Sequence, residues 1–112
     1  MLFKIAESSE KVNVKLSDIM YVKTYGKGRQ AKDVILKCGT RHVFMDCAFN
    51  ELLGASSYLI RINKSELISI EAFQKIEGDL ITMKGIIENG KPKHVTLNRW
   101  FKKDFMARLS SK

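Results

Sequence analysis

Residues 58–73 read YLIRINKSELISIEAF. An apolar run over 58–62 meets the polar triplet Asn63-Lys64-Ser65, and a second apolar run follows over 67–70. A short apolar run bounded by turn residues reads as a strand, so this stretch is strand, tight corner, strand. Downstream, 72–77 and 80–85 flank Gly78-Asp79 as a hairpin, and Asn89-Gly90 is the strongest turn dipeptide in the chain. Residues 94–97 return from that turn. Asn98 then caps a closing helix on which Phe101, Phe105 and Leu109 recur every four residues, with Lys102, Lys103 and Arg108 off the stripe. Upstream, Asp46 is placed to cap a short helix with Phe49, Leu52 and Leu53 on one face and Gly54 at its end. Residues 32–38 and 41–45 flank Gly39-Thr40 as another hairpin, and 19–25 is a strand. Val12, Val14 and Leu16 alternate with Lys11, Asn13 and Lys15, the period of a half-buried strand. Residues 2–6 are its antiparallel partner across Ser8-Ser9-Glu10. The reading is mainly β, with one short internal helix and one at the C-terminus.

The chain has 112 residues, 45% of them hydrophobic and 29% charged, which fits one folded domain spanning 1–112. No apolar run approaches the roughly 20 residues of a membrane helix. The opening MLFKIAE meets an acid too early for a secretory signal. Cys38 and Cys47 are therefore expected as reduced cytosolic thiols, Cys38 buried or half-buried in its strand and Cys47 packed at a helix start. A helix start can instead lower a thiol's pKa, which is the other reading of Cys47.

Twenty Lys and Arg against 12 Asp and Glu leave a net charge of +8, which points to a polyanion. The charge is blocked. Residues 21–41 carry Lys23, Lys27, Arg29, Lys32, Lys37 and Arg41 against Asp33 alone, and 91–112 are similarly basic against Asp104 alone. The densest piece, YGKGRQAK at 25–32, joins two apolar strands and reads as an exposed loop. It lacks the spacing of a nucleotide-binding phosphate loop. His42 and His94 have no Cys or carboxylate at metal-ligand spacing, no glycine-flanked nucleophilic serine occurs, and the acids fall on unrelated elements. Neither an enzyme, a metal nor any other cofactor is expected.

Within 58–73, the order Arg61, Ile62, Asn63, Lys64, Ser65, Leu67, Ile68 resembles the central signature of the LytTR-type DNA-binding domain. Residues 16–22 (LSDIMYV) resemble that family's entry segment, 49–53 (FNELL) its short helix, and 97–102 (LNRWFK) its closing segment. Position 63 is most often His in the family and is Asn here. The first of the closing segment's two arginines is Asn98 here.

This resemblance implies an elongated stack of antiparallel β-sheets with short helices. It also implies loops that enter successive major-groove segments of double-stranded DNA. The function implied is that of a bacterial transcription regulator, or the output domain of a two-component response regulator, in the cytoplasm. Asn63, Lys64, Asn98, Arg99 and Arg29 would contact bases, and Lys27, Lys32, Arg61, Lys102 and Lys103 phosphates. Paired repeat sites, a homodimer on DNA and a receiver domain or sensor outside this chain are the partners that follow; a membrane is not. The alternative is a basic β-rich RNA-binding module, which would show clustered exposed aromatics on a sheet, with Tyr21, Tyr25, Phe44 and Phe73 the residues to inspect.

Overall fold

The computed structural model describes residues 1–5, 8, 10–26, 28 and 30–110. In chain order the elements are β1 (Leu2–Ile5), β2 (Lys11–Asn13), a 3-10 turn (Leu16–Asp18), β3 (Ile19–Thr24), β4 (Lys32–Leu36), β5 (Arg41–Met45) and α1 (Phe49–Ala55). Then come β6 (Leu59–Asn63), β7 (Glu66–Ser69), a 3-10 turn (Ile70–Ala72), β8 (Phe73–Glu77), β9 (Leu80–Glu88), β10 (Lys91–Thr96) and α2 (Arg99–Ser110). The first seven-stranded sheet runs β2-β1-β5-β4-β3-β7-β6, and a three-stranded sheet runs β10-β9-β8. Every pairing is antiparallel. The principal extents are 40 × 32 × 24 Å.

The large sheet is apolar on both faces. Val22, Val34, Phe44 and Leu67 pack on one side with Phe49 and Leu52 of α1. Met20, Tyr21, Ile62 and Ile68 pack on the other with the small sheet and Phe105 of α2. This is why β3 is buried at four consecutive positions, Ile19 to Val22. A strand between two layers reads as a continuous apolar run and not as an alternation. A register shift between Ile19 and Tyr21 adds to the departure from period two.

The turn chemistry follows the sequence. Asn89 and Gly90 take φ of 53° and 77°, so the Lys91–Glu88 pair closes on a two-residue turn with both φ positive. Gly85 lies inside β9 at φ 82°, where the strand kinks opposite the register shift of β10. β9 therefore continues through Gly85 to Glu88, beyond the expected end at 85.

Several local expectations are corrected. The N-cap of α1 is Ala48, with no side-chain cap, while Asp46 takes φ 51° two residues earlier. The helix ends at Ala55, one residue past Gly54. β2 stops at Asn13, and Leu16 belongs to a 3-10 turn. Cys38 is exposed in the β4–β5 turn, its Sγ 2.9 Å from Thr40 Oγ1, and this contact lowers its thiol pKa. Cys47 is buried, and burial pushes its thiol up to about 11. Desolvation outweighs any helix-start effect at that position.

Candidate nucleic-acid interface

Three chain reversals meet at one end of the strands: the β3–β4 connection over 25–31, the β6–β7 corner at Asn63-Lys64-Ser65, and the β10–α2 junction at 97–98. They are tied by hydrogen bonds. The Thr24 amide donates to Ser65 O at 2.9 Å, and the Asn98 amide donates to Ile62 O at 2.8 Å. Asn63 Nδ2 donates to Thr96 O at 3.0 Å. At the far side of the first reversal, the Cys47 amide donates to Gln30 O at 3.0 Å. Lys27 and Arg29, expected as DNA contacts, lie outside the described residues.

Asn63 is the keystone of the corner. Its Nδ2 also donates to Glu66 Oε1 at 2.7 Å, while its Oδ1 accepts from the Ser65 amide at 2.9 Å and from Ser65 Oγ at 3.1 Å. An amide side chain has two N–H donors and one oxygen with two lone pairs, so its capacity is used in full. A base contact by Asn63 would require it to give up one of these bonds. The other carboxylate oxygen, Glu66 Oε2, accepts from the Tyr21 hydroxyl. Burial first, then this bond, raise the Tyr21 pKa well above the usual phenol range.

Arg61 braces the same corner from the edge strand β6. Its guanidinium carbon lies 5.2 Å from the Phe49 ring centre and 5.4 Å from that of Phe101, so it is held between α1 and α2. Its Nε donates to Asn63 O at 3.2 Å and its Nη2 to Lys64 O at 2.7 Å. Beside it is an open cleft of about 300 Å³ lined by Thr24, Gln30, Lys32, Asn50, Arg61 and Lys64 around Phe49. No carboxylate lines it among the described residues.

Lys32 departs from the exposed loop expected of it. It opens β4, is only 4% exposed, and sets its Nζ 4.9 Å over the Phe49 ring and 3.3 Å from Gln30 Oε1. Desolvation lowers its pKa. An anion in the cleft would offset that cost, because it favours the charged amine.

At the junction, Asn98 Oδ1 accepts from the Trp100 amide at 2.8 Å, so Asn98 caps α2 as its side-chain type predicts. Arg99 is exposed, and its guanidinium carbon lies 5.3 Å from the Trp100 ring centre. Lys103 is also exposed, whereas Lys102 pairs with Asp79 at 3.4 Å. Reading the sequence for charge missed Trp100, which is 75% exposed. Its signal was present: a tryptophan one position off the stripe of Phe101, Phe105 and Leu109.

Charge is organised along the strands. At the opposite end Lys37 pairs with Glu71 at 3.2 Å, and Arg41 and Lys93 pair with Glu88 at 3.3 and 2.9 Å. Hydrogen bonding to Lys93 holds the Glu88 carboxyl below the usual range. Among the described residues, Lys32, Arg61, Lys64, Arg99 and Lys103 have no acidic partner. Each basic block of the sequence is thus split. Lys37, Arg41, Lys93 and Lys102 are paired locally, and Lys32, Arg99 and Lys103 lie around the three reversals without an acidic partner. Lys91, at the Asn89-Gly90 turn, is exposed and has no acidic partner among the described residues either. Tyr21 and Phe44, two of the aromatics an RNA reader would display, are buried. No described helix is long and apolar enough to cross a membrane.

No family model matches this chain, and no curated protein matches it. Among solved structures it is similar to the LytTr DNA-binding domain of a Bacillus cereus protein described as a methyl-accepting/DNA response regulator. The TM-score is 0.72 at 14% identity, over 96% of this chain and 95% of that one. At that TM-score and coverage the chain has the fold of a LytTr DNA-binding domain.

Proposed function

We propose that residues 1–112 are one sequence-specific DNA-binding domain of the LytTR family, working as a bacterial transcription regulator or as the output domain of a response regulator in the cytoplasm. One observation carries this reading: three hydrogen-bonded chain reversals meet at one end, and Lys32, Arg61, Lys64, Arg99 and Lys103 around them have no acidic partners among the described residues. Unpaired cations on a braced surface gain affinity for a polyanion by releasing its counterions. The fold likeness supports duplex DNA as that polyanion.

In this account the reversals enter the major groove. Arg99, Lys64 and Asn98, with Arg29 of the first reversal, read base edges. Lys32 and Arg61 take a phosphate in the cleft, joined by Lys27, Lys102 and Lys103 on the flanks. Asn63 contributes chiefly by holding Lys64 in place and reaches a base only by releasing one internal bond. Paired repeat sites would recruit two copies, and a receiver domain or sensor would supply the signal. No catalytic step is assigned to the chain.

The test is fluorescence anisotropy with labelled duplexes recovered from a random pool, alongside a mixed-sequence duplex. If about six phosphates are neutralised, log K falls against log salt with a slope of roughly −5. Arg99→Ala and Lys64→Ala should cost about 1–3 kcal/mol on the selected duplex and little on the mixed one. Equal affinity of the unsubstituted protein for both duplexes would overturn the regulator reading.

A further inference from the structure

We infer that Trp100 is a DNA-contacting residue, an apolar shelf that lies against the deoxyribose edge of the groove and fixes the direction of Arg99. The inference rests on the DNA-binding reading above and adds to it a residue that lies within the resembling segment 97–102 but to which the resemblance assigns no contact.

Trp100 is the only tryptophan in the chain and the most exposed large apolar residue of the described structure. Leaving an indole in water forfeits the burial that its size makes available. A lone exposed residue needs no explanation in general. Here its setting supplies one. Its backbone is fixed by the Asn98 cap at 2.8 Å, and α2 behind it is anchored by the fully buried Phe105. Its ring carries the Arg99 guanidinium at 5.3 Å. The Asn98 amide bond to Ile62 O ties this turn to the corner that presents Lys64. A flat apolar surface therefore sits on a fixed backbone beside a cation that has no acidic partner among the described residues, at the same end as Arg61 and Lys64, which also have none.

DNA offers chemistry that fits this pair. The base edges take Arg99, and the C–H surface of the sugars takes the indole. An arginine stacked on a ring is already restricted, so less conformational freedom is lost when it meets a base edge. Trp100 thus acts partly through Arg99, as a positioning residue, and partly by its own burial.

Because no other tryptophan is present, the emission of the full chain excited at the red edge, beyond the absorption of its three tyrosines, reports on Trp100 alone. The experiment follows acrylamide quenching of that emission, free and saturated with the selected duplex, while anisotropy of a label on the DNA records binding independently. Several-fold weaker quenching in the complex is expected. Trp100→Ala should weaken binding to the selected duplex by about ten-fold and narrow its preference over the mixed duplex, with an unchanged salt slope because no phosphate contact is lost. Trp100→Phe should recover most of the affinity. Duplex bound with Trp100 quenched as freely as before, or Trp100→Ala binding like the unsubstituted protein, would overturn this inference and leave DNA binding standing. No binding of either duplex would remove the DNA-binding reading, and this inference with it.

Discussion

Asn63 and Glu66 are joined at 2.7 Å across the β6–β7 corner, and the same carboxylate accepts the hydroxyl of the buried Tyr21. A surface turn is thereby fastened to the layer between the sheets. Such a bond is worth about 1 kcal/mol net, but removing one partner leaves the others short of hydrogen bonds at greater cost.

Asn63→Ala should therefore destabilise the fold by about 1–3 kcal/mol, because Glu66 Oε1, Thr96 O and the Ser65 amide all lose a partner. Thermal unfolding followed by circular dichroism would read this as a Tm lowered by roughly 5–15 °C. An unchanged Tm would mean that the corner is held without Asn63.

Arg61→Lys should also destabilise, by about 1–2 kcal/mol, although charge is conserved. A lysine cannot lie between two rings and also donate to two separate carbonyls as the planar guanidinium does. The urea midpoint measures it. A substitution that is neutral for stability would reduce Arg61 to a surface cation.

The two thiols should react very differently. Cys38 is exposed and its pKa is lowered by Thr40, whereas Cys47 is buried and raised to about 11. One equivalent of iodoacetamide should add quickly at neutral pH, at Cys38, with Cys47 at least about a hundred-fold slower until denaturant is added. Peptide mapping after a timed pulse identifies the site. Thr40→Val should slow Cys38. Equal labelling of both thiols in the folded protein would contradict their placement.

Alkaline pH should destabilise the fold. The folded state holds the Cys47 proton more tightly than the unfolded chain, with a pKa of about 11 against 9.0. The stability that comes from this difference is complete below pH 9 and is lost as pH rises through about 11. Tyr21, raised by burial and by Glu66, acts in the same direction. Urea midpoints measured across that window should fall, and less so in Cys47→Ala. Lys32, whose pKa desolvation lowers, acts in the opposite direction, so the comparison isolates the thiol: a profile in Cys47→Ala identical to that of the unsubstituted protein would contradict the burial of Cys47.

The order of strands and both helices was legible because turn dipeptides such as Asn89-Gly90 and the stripe of Phe101, Phe105 and Leu109 are local signals. The boundaries that failed depend on tertiary context. Asp46 has a capping side chain, but its φ of 51° bends the chain away two residues before the actual N-cap, Ala48. Cys38 lies in an apolar-looking strand, yet the β4–β5 turn begins before it and carries it to the surface. Lys32 sits in the most basic stretch, and only the packing of α1 shows that Phe49 covers it. Asn63, Lys64, Asn98 and Arg99 could be singled out by resemblance, but the saturation of Asn63 and the exposure of Trp100 needed coordinates.

The central claim is that the end of the molecule bearing these reversals binds duplex DNA. Backbone amide NMR on the full chain, titrated with the selected duplex, tests it most directly. The account predicts that chemical-shift changes cluster at Thr24, Asn63 to Ser65 and Asn98 to Trp100, while the turns at Gly39 and Asn89-Gly90, where Arg41 and Lys93 are paired with Glu88, stay still. Changes concentrated at Gly39 and Asn89-Gly90, with the corner and the α2 start unmoved, would contradict it.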